Sequence, residues 1–174
     1  EDALRGIATA HAPLTAPSAG LPCGGGLLLA QPCDLVIAAE AAPSAIPKAK
    51  VGRGTPWAAP LPRLVAPRVA MELLLTGAPI SAARAYEVGL VNKVVPLAEL
   101  RGAAQEMATT IAANAPLSVR AAKALVPAAA EFPEPAAWAE GDRLFASFYL
   151  SAGAQEGTQA FREKRPPART GRYF

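Results

Sequence analysis

Three successive glycines, Gly24, Gly25 and Gly26, open an otherwise apolar helix within the run from Gly20 to Asp34, and they are the residues best placed to do chemistry. The first N–H groups of a helix have no partner inside it, the helix dipole adds partial positive charge there, and glycine leaves that backbone bare to a ligand. Such a terminus stabilises a negatively charged oxygen, which makes the stretch a candidate oxyanion hole. The same glycines also suit close packing of a helix on a sheet, and the local pattern does not separate the two readings. No Gly-Lys-Ser/Thr follows, and the spacing Gly24, Gly26, Leu29 departs from Gly-x-Gly-x-x-Gly, so nucleotide binding through this loop is disfavoured.

The remaining candidates are sparse. Cys23 and Cys33 stand ten apart with no neighbouring His or Cys, so neither a zinc pattern nor a disulfide framework is indicated, and both are expected to be small buried residues. At a helix start Cys23 could also be a reactive thiol, although no basic partner lies near it in sequence. His11 is the single histidine, and nothing places it beside a nucleophile. No metal or cofactor is expected. Basic residues gather late, at Arg162, Lys164, Arg165, Arg169 and Arg172, but without interleaved aromatics, which disfavours nucleic acid as a partner.

Elements able to position the glycines can be read from the pattern. The 174 residues, 52% hydrophobic and 18% charged, suffice for a real core. The longest apolar runs, Leu27 to Ala30 and Leu35 to Ala39, fall far short of the ~20 residues of a membrane span, and no charged-then-apolar signal opens the sequence, so a cytoplasmic protein is expected. Residues 1–10 read as helical. Leu14 to Ala19 reads as a short strand spoiled by Pro17, and Leu35 to Ala39 as a buried strand of the parallel-sheet kind. A loop-rich segment from Ala41 to Leu61 has the composition of pocket-lining chain. Helices are expected over Arg68 to Leu75, stopped by Thr76-Gly77, and from the Ser81 cap to Gly89, followed by a strand over Leu90 to Val95. Helical periodicity then covers Leu97 to Asn114 and Pro116 to Val126. From Glu134 to Arg165 the spacing of Trp138, Leu144, Phe145, Phe148 and Phe161 suggests helices with aromatic anchors, before an extended tail.

This succession resembles the crotonase superfamily, the enoyl-CoA hydratase and isomerase family. The resemblance rests on Gly20 to Asp34 with its Gln31-Pro32-Cys33-Asp34 element, on Leu61 to Val65, on Ala70 to Gly77, on Ile80-Ser81-Ala82, on Ala85 to Asn92, and on Ala160-Phe161-Arg162-Glu163-Lys164-Arg165. It implies an α/β fold, a spiral of β-β-α units in residues 1–95 followed by a helical trimerisation region and tail in 96–174, assembled as a homotrimer or hexamer. The implied substrate is an acyl-CoA thioester whose carbonyl sits between two backbone N–H donors, Gly25 supplying one. The second donor and the early strands would come from a segment preceding residue 1, supplied by a separate N-terminal half, another chain or a swapped neighbour. The resemblance also brings Gly24, Gly26, Phe161 and Lys164 toward the ligand. Trp57, in the loop that shapes the pocket, suits either stacking on an acyl group or filling space.

Two departures limit the implied chemistry. The family hydrates an enoyl group with two carboxylates that hold and deprotonate a water, and their positions fall here at Leu28 and Lys48. Loss of a general base typically forfeits ~10²- to 10⁴-fold in rate. Ordinary hydration is therefore not expected. What remains is an enolate-stabilising reaction such as decarboxylation, with Lys48 as proton donor, or a catalytically silent acyl-CoA binder or partner subunit. Lys48 facing solvent or pairing with an acid is the plain alternative.

Overall fold

Three short strands, Thr15–Ser18 (β1), Leu35–Ala39 (β2) and Lys93–Val95 (β3), form an all-parallel sheet in the order β1-β2-β3 in the computed structural model, which describes residues 10, 12–19, 25–149 and 151–168. Residues 1–9, His11, Cys23 and Gly24 lie outside the described residues. A buried parallel sheet must be covered on both faces, and the alternation along β2 shows how. Val36 and Ala38 enter one cluster with Leu27, Leu61, Ala70, Leu73, Ala82 and Ala85. Ile37 and Ala39 enter a second with Val95 and Leu100, against which Ala103, Ala104 and Met107 pack at helical spacing.

Helices Gly25–Ala30 (α1), Leu61–Leu64 (α2), Pro67–Thr76 (α3) and Ala82–Glu87 (α4) cover the first face, and Leu100–Ala112 (α5) begins the cover of the second. Ser81 caps α4 as expected, its hydroxyl accepting from the Arg84 N–H at 3.1 Å. Gly77 closes α3 in the left-handed region, at φ 57°, and a Cβ there would stand 3.1 Å from the Pro47 Cα, so this position requires glycine twice over. The loop after β2 is fixed by a bridge in which Ser44 and Ile80 exchange N–H···O=C bonds of 2.9 and 2.8 Å.

Two local expectations meet a different outcome. Pro17 does not spoil β1: it pairs in register with Ile37, and among the described residues β1 has β2 as its one strand neighbour, so its missing N–H is tolerated. The strand expected from Leu90 begins only at Lys93, because Asn92 substitutes for a strand residue. Its side-chain oxygen accepts from the Val36 N–H and its own N–H donates to the Val36 carbonyl, both at 2.7 Å.

The chain divides into two compact units, one built on residues 14–107 and the other on residues 12–13 and 108–168. The second consists of Pro116–Glu131 (α6), Glu134–Tyr149 (α7) and Ala152–Arg162 (α8). Here α6 continues through Pro127, beyond the expected stop at Val126, and packs along α7, where Gly141 lies against Leu125. Phe145 and Phe148 form an edge-to-face pair with centroids 5.8 Å apart. Trp138 and Phe161 are not anchors, being 70% and 85% exposed.

Val36 is buried, so removing the Asn92 side chain strands a backbone N–H. Asn92→Ala is expected to lower unfolding stability by about 1–3 kcal/mol, read from chemical denaturation; an unchanged midpoint would contradict this role.

Candidate functional site

The candidate site is built on the start of α1. The helix is described from Gly25 to Ala30, and Gly24 lies outside the described residues. Its inward positions fix it to the sheet: Leu27 is 2% exposed and Ala30 6%, both within the core cluster that contains Val36 and Ala38. At its other end the Gln31 N–H donates to the Leu27 carbonyl and the Cys33 N–H to the Ala30 carbonyl, each at 3.0 Å, and the Cys33 thiol reaches the Leu29 carbonyl at 3.4 Å. Cys33 is thus half-buried in a turn, not a core residue. Asp34 closes the turn by accepting the Leu14 N–H at 2.7 Å, which ties the segment before β1 to the end of α1. With its inward face buried and its C-terminal end held, the helix keeps a fixed direction. The first N–H groups of a helix have no partner inside it, and the oxyanion reading assigns one of these donors to Gly25.

Leu28 is half-buried one residue beyond the buried Leu27, and brings no acid to this helix. Lys48, also half-buried, lies in the short 3-10 helix Pro47–Val51, which turns on Gly52 at φ 63°. Its carbonyl accepts the Arg53 N–H at 3.0 Å, which fixes its backbone. Trp57, in the 3-10 helix Pro56–Ala58, packs part-buried against the cluster that seats α1. That contact supports the space-filling role. All three residues, with Gly25 and Gly26, belong to the first unit, whereas Phe161 and Lys164 belong to the second, exposed at the end of α8.

A cavity of about 90 Å³ lies at the far end of α1, lined by Leu27, Gln31, Asp34, Leu64, Gly89 and Asn92 among others; its lining does not include Leu28, Lys48 or Trp57. Gln31 is 8% exposed, and its amide nitrogen and oxygen make no hydrogen bond. Sequence reasoning missed this residue, although the signal was there: Leu27, Ala30 and Gln31 stand at i, i+3 and i+4, which puts Gln31 on the buried face of α1. Among the described residues no cluster of three or more His, Cys, Asp or Glu side chains could hold a metal, and no helix is long and apolar enough to cross a membrane.

Comparison with known proteins adds the following. A family model described as enoyl-CoA hydratase/isomerase matches residues 1–172. Carnitinyl-CoA dehydratase from Salmonella paratyphi A is 37% identical over 170 residues, covering 92% of this chain and 64% of the relative. Among solved structures, an enoyl-CoA hydratase from Mycobacterium smegmatis superposes with a TM-score of 0.90 at 32% identity, over 96% of this chain and 65% of that one. One from Bacillus anthracis gives 0.91 at 32%, over 98% and 67%. The chain therefore spans 64% of the length of the curated relatives it matches.

If Trp57 fills space in the core, Trp57→Ala costs stability, but less than the ~3–5 kcal/mol of a fully buried tryptophan. Thermal and urea unfolding of the variant check this; a fully stable variant that loses only ligand affinity would reverse the assignment.

Proposed function

Because this chain belongs to the enoyl-CoA hydratase/isomerase family and has the α/β crotonase fold of the solved members it matches, we propose that it binds an acyl-CoA thioester with the carbonyl oxygen against the Gly25 amide. The observation that carries this reading is that α1, which includes Gly25, is locked into the core by Leu27 and Ala30. A helix fixed in this way spends nothing on reorganisation when charge develops on the oxygen, and one such donor is worth ~2.7–4 kcal/mol in a transition state. The substrate class comes from relatives named carnitinyl-CoA dehydratase and enoyl-CoA hydratase. Gly24 and Gly26 belong to the binding site in this reading, Trp57 fills space beneath it, and Phe161 and Lys164 meet the CoA moiety of a ligand held by a neighbouring copy. Assembly into a homotrimer or hexamer and a cytoplasmic location go with it.

Leu28 and Lys48 bear on the reaction. A leucine neither accepts a proton nor orients water, and a lysine in place of the second acid opposes the charge a general base must gain. The protein in this reading polarises the thioester without hydrating an enoyl-CoA by the two-carboxylate route. The same two positions favour a second reading, a catalytically silent acyl-CoA-binding or partner subunit.

Titration with crotonyl-CoA and a saturated acyl-CoA, with turnover followed separately through the enoyl absorbance, is expected to show binding of both and no hydration. Rapid hydration would overturn the assignment at Leu28 and Lys48, and failure to bind either ligand would overturn the acyl-CoA reading. Proline fits the first position of a helix but brings no N–H. Gly25→Pro is therefore expected to keep the fold and weaken thioester binding, whereas undiminished affinity would remove Gly25 from the site.

A further inference from the structure

One face of α7 carries large side chains that the fold leaves uncovered. Glu134, Trp138, Asp142, Phe145 and Tyr149 follow one another at spacings of three and four residues, which places them on one side of the helix. Together with Leu125 of α6 they line a groove of about 360 Å³ that lies wholly within the second unit. That volume falls in the ~300–1,000 Å³ range of small-molecule sites. Phe145 is held by its edge-to-face contact with Phe148. Trp138 and Tyr149 are 70% and 71% exposed, so two aromatic side chains are left to solvent at this groove. Core packing does not account for them.

Two carboxylates flank Trp138. Glu134 and Asp142 each stand four residues from it, about 6 Å along a helix axis, and both are exposed. Among the described residues neither makes a hydrogen bond or ion pair. Arg143, next to Asp142 in sequence, is committed to Glu140 through bonds of 2.7 and 2.5 Å. The groove thus combines aromatic rings, an apolar wall and uncompensated negative charge. An anion is repelled there, and a neutral apolar molecule leaves the carboxylates unused. A metal ion finds no chelating set, the two acids being about 12 Å apart along the axis. A primary ammonium is strongly hydrated and gives up its water at a cost. A quaternary ammonium carries its charge beneath methyl groups, packs against aromatic faces within ~6 Å of their centres, and is attracted by the nearby acids. We propose that the groove between α6 and α7 binds a small quaternary ammonium compound, with Trp138, Phe145 and Tyr149 around the cation and Glu134 and Asp142 at the rim. This site shares no residue with the one on α1 and does not depend on the acyl-CoA reading.

Choline and its uncharged isostere dimethylbutanol separate charge from shape. The indole N–H resonance of Trp138, identified by its absence in Trp138→Phe, is expected to shift when the wild-type protein is titrated with choline chloride and to stay in place with sodium chloride at equal ionic strength. The isostere is expected to bind about tenfold more weakly, the ordinary size of a cation's attraction to an aromatic face. Because Trp138 is exposed, Trp138→Ala is expected to keep the melting temperature while weakening choline binding by about tenfold, read by calorimetric titration. Glu134→Gln combined with Asp142→Asn is expected to weaken choline binding by about twofold or more and to leave the isostere unaffected. An isostere bound as tightly as choline, a Trp138 resonance that choline does not move, or undiminished affinity in either variant would overturn the proposal. So would choline binding that disappears as protein concentration rises, which would mark the groove as a face between copies of this chain.

Discussion

The burial of β2 between two parallel neighbours is the constraint on which the first unit depends. Both of its faces are apolar, Val36 and Ala38 on one side and Ile37 and Ala39 on the other, and each must be covered. Covering the first face draws α1 onto the sheet through Leu27 and Ala30, and the direction of α1 follows from that contact. At ~25 cal/mol per Å² of apolar surface removed from water, burial of this kind outweighs any single polar contact at the rim. The bonds at Asp34 and Asn92 set register more than they drive folding. They tie the start of β2 to the segment before β1 and to the turn before β3.

The chemistry inherits this rigidity. A helix terminus offers an oxyanion only backbone dipoles, and dipoles stabilise charge best when they need not move to meet it. α1 is fixed by its buried side chains and by the turn that follows, so its N–H groups are already oriented before a ligand arrives. The two positions that the resemblance assigns to the family's acids carry none. Leu28 sits half-buried on the helix itself, and Lys48 has its backbone fixed in the 3-10 helix before Gly52. Polarisation of a carbonyl and transfer of a proton are separate tasks, and the proposed site is equipped for the first.

Much of this was legible in the sequence, for identifiable reasons. The β2 strand follows from an unbroken apolar run, and the ends of α3 and α4 from Gly77 and the Ser81 cap, where one residue type decides the backbone. What was not legible depends on partners distant in sequence. Asn92 reads as part of a strand from Leu90 until Val36, 56 positions away, meets its side-chain oxygen and its N–H. Pro17 looks like a strand breaker until it pairs in register with Ile37. Pro127 looks like a helix end, yet α6 runs on to Glu131 along α7. The grip of Arg165 on Glu156 spans nine residues, a spacing that no helical or strand period marks. At the site, spacing picked out the glycines but Gln31 was passed over, while the weight of Leu28 and Lys48 came from the family resemblance alone.

Whether the bound thioester carbonyl is polarised can be read directly from its own bond. Isotope-edited infrared difference spectroscopy of an acyl-CoA labelled with carbon-13 at the carbonyl, free and bound to the wild-type protein, isolates that stretch. The account predicts a shift to lower frequency on binding that is lost in Gly25→Pro. A bound carbonyl stretch at its solution frequency, or one shifted equally in both proteins, would contradict it.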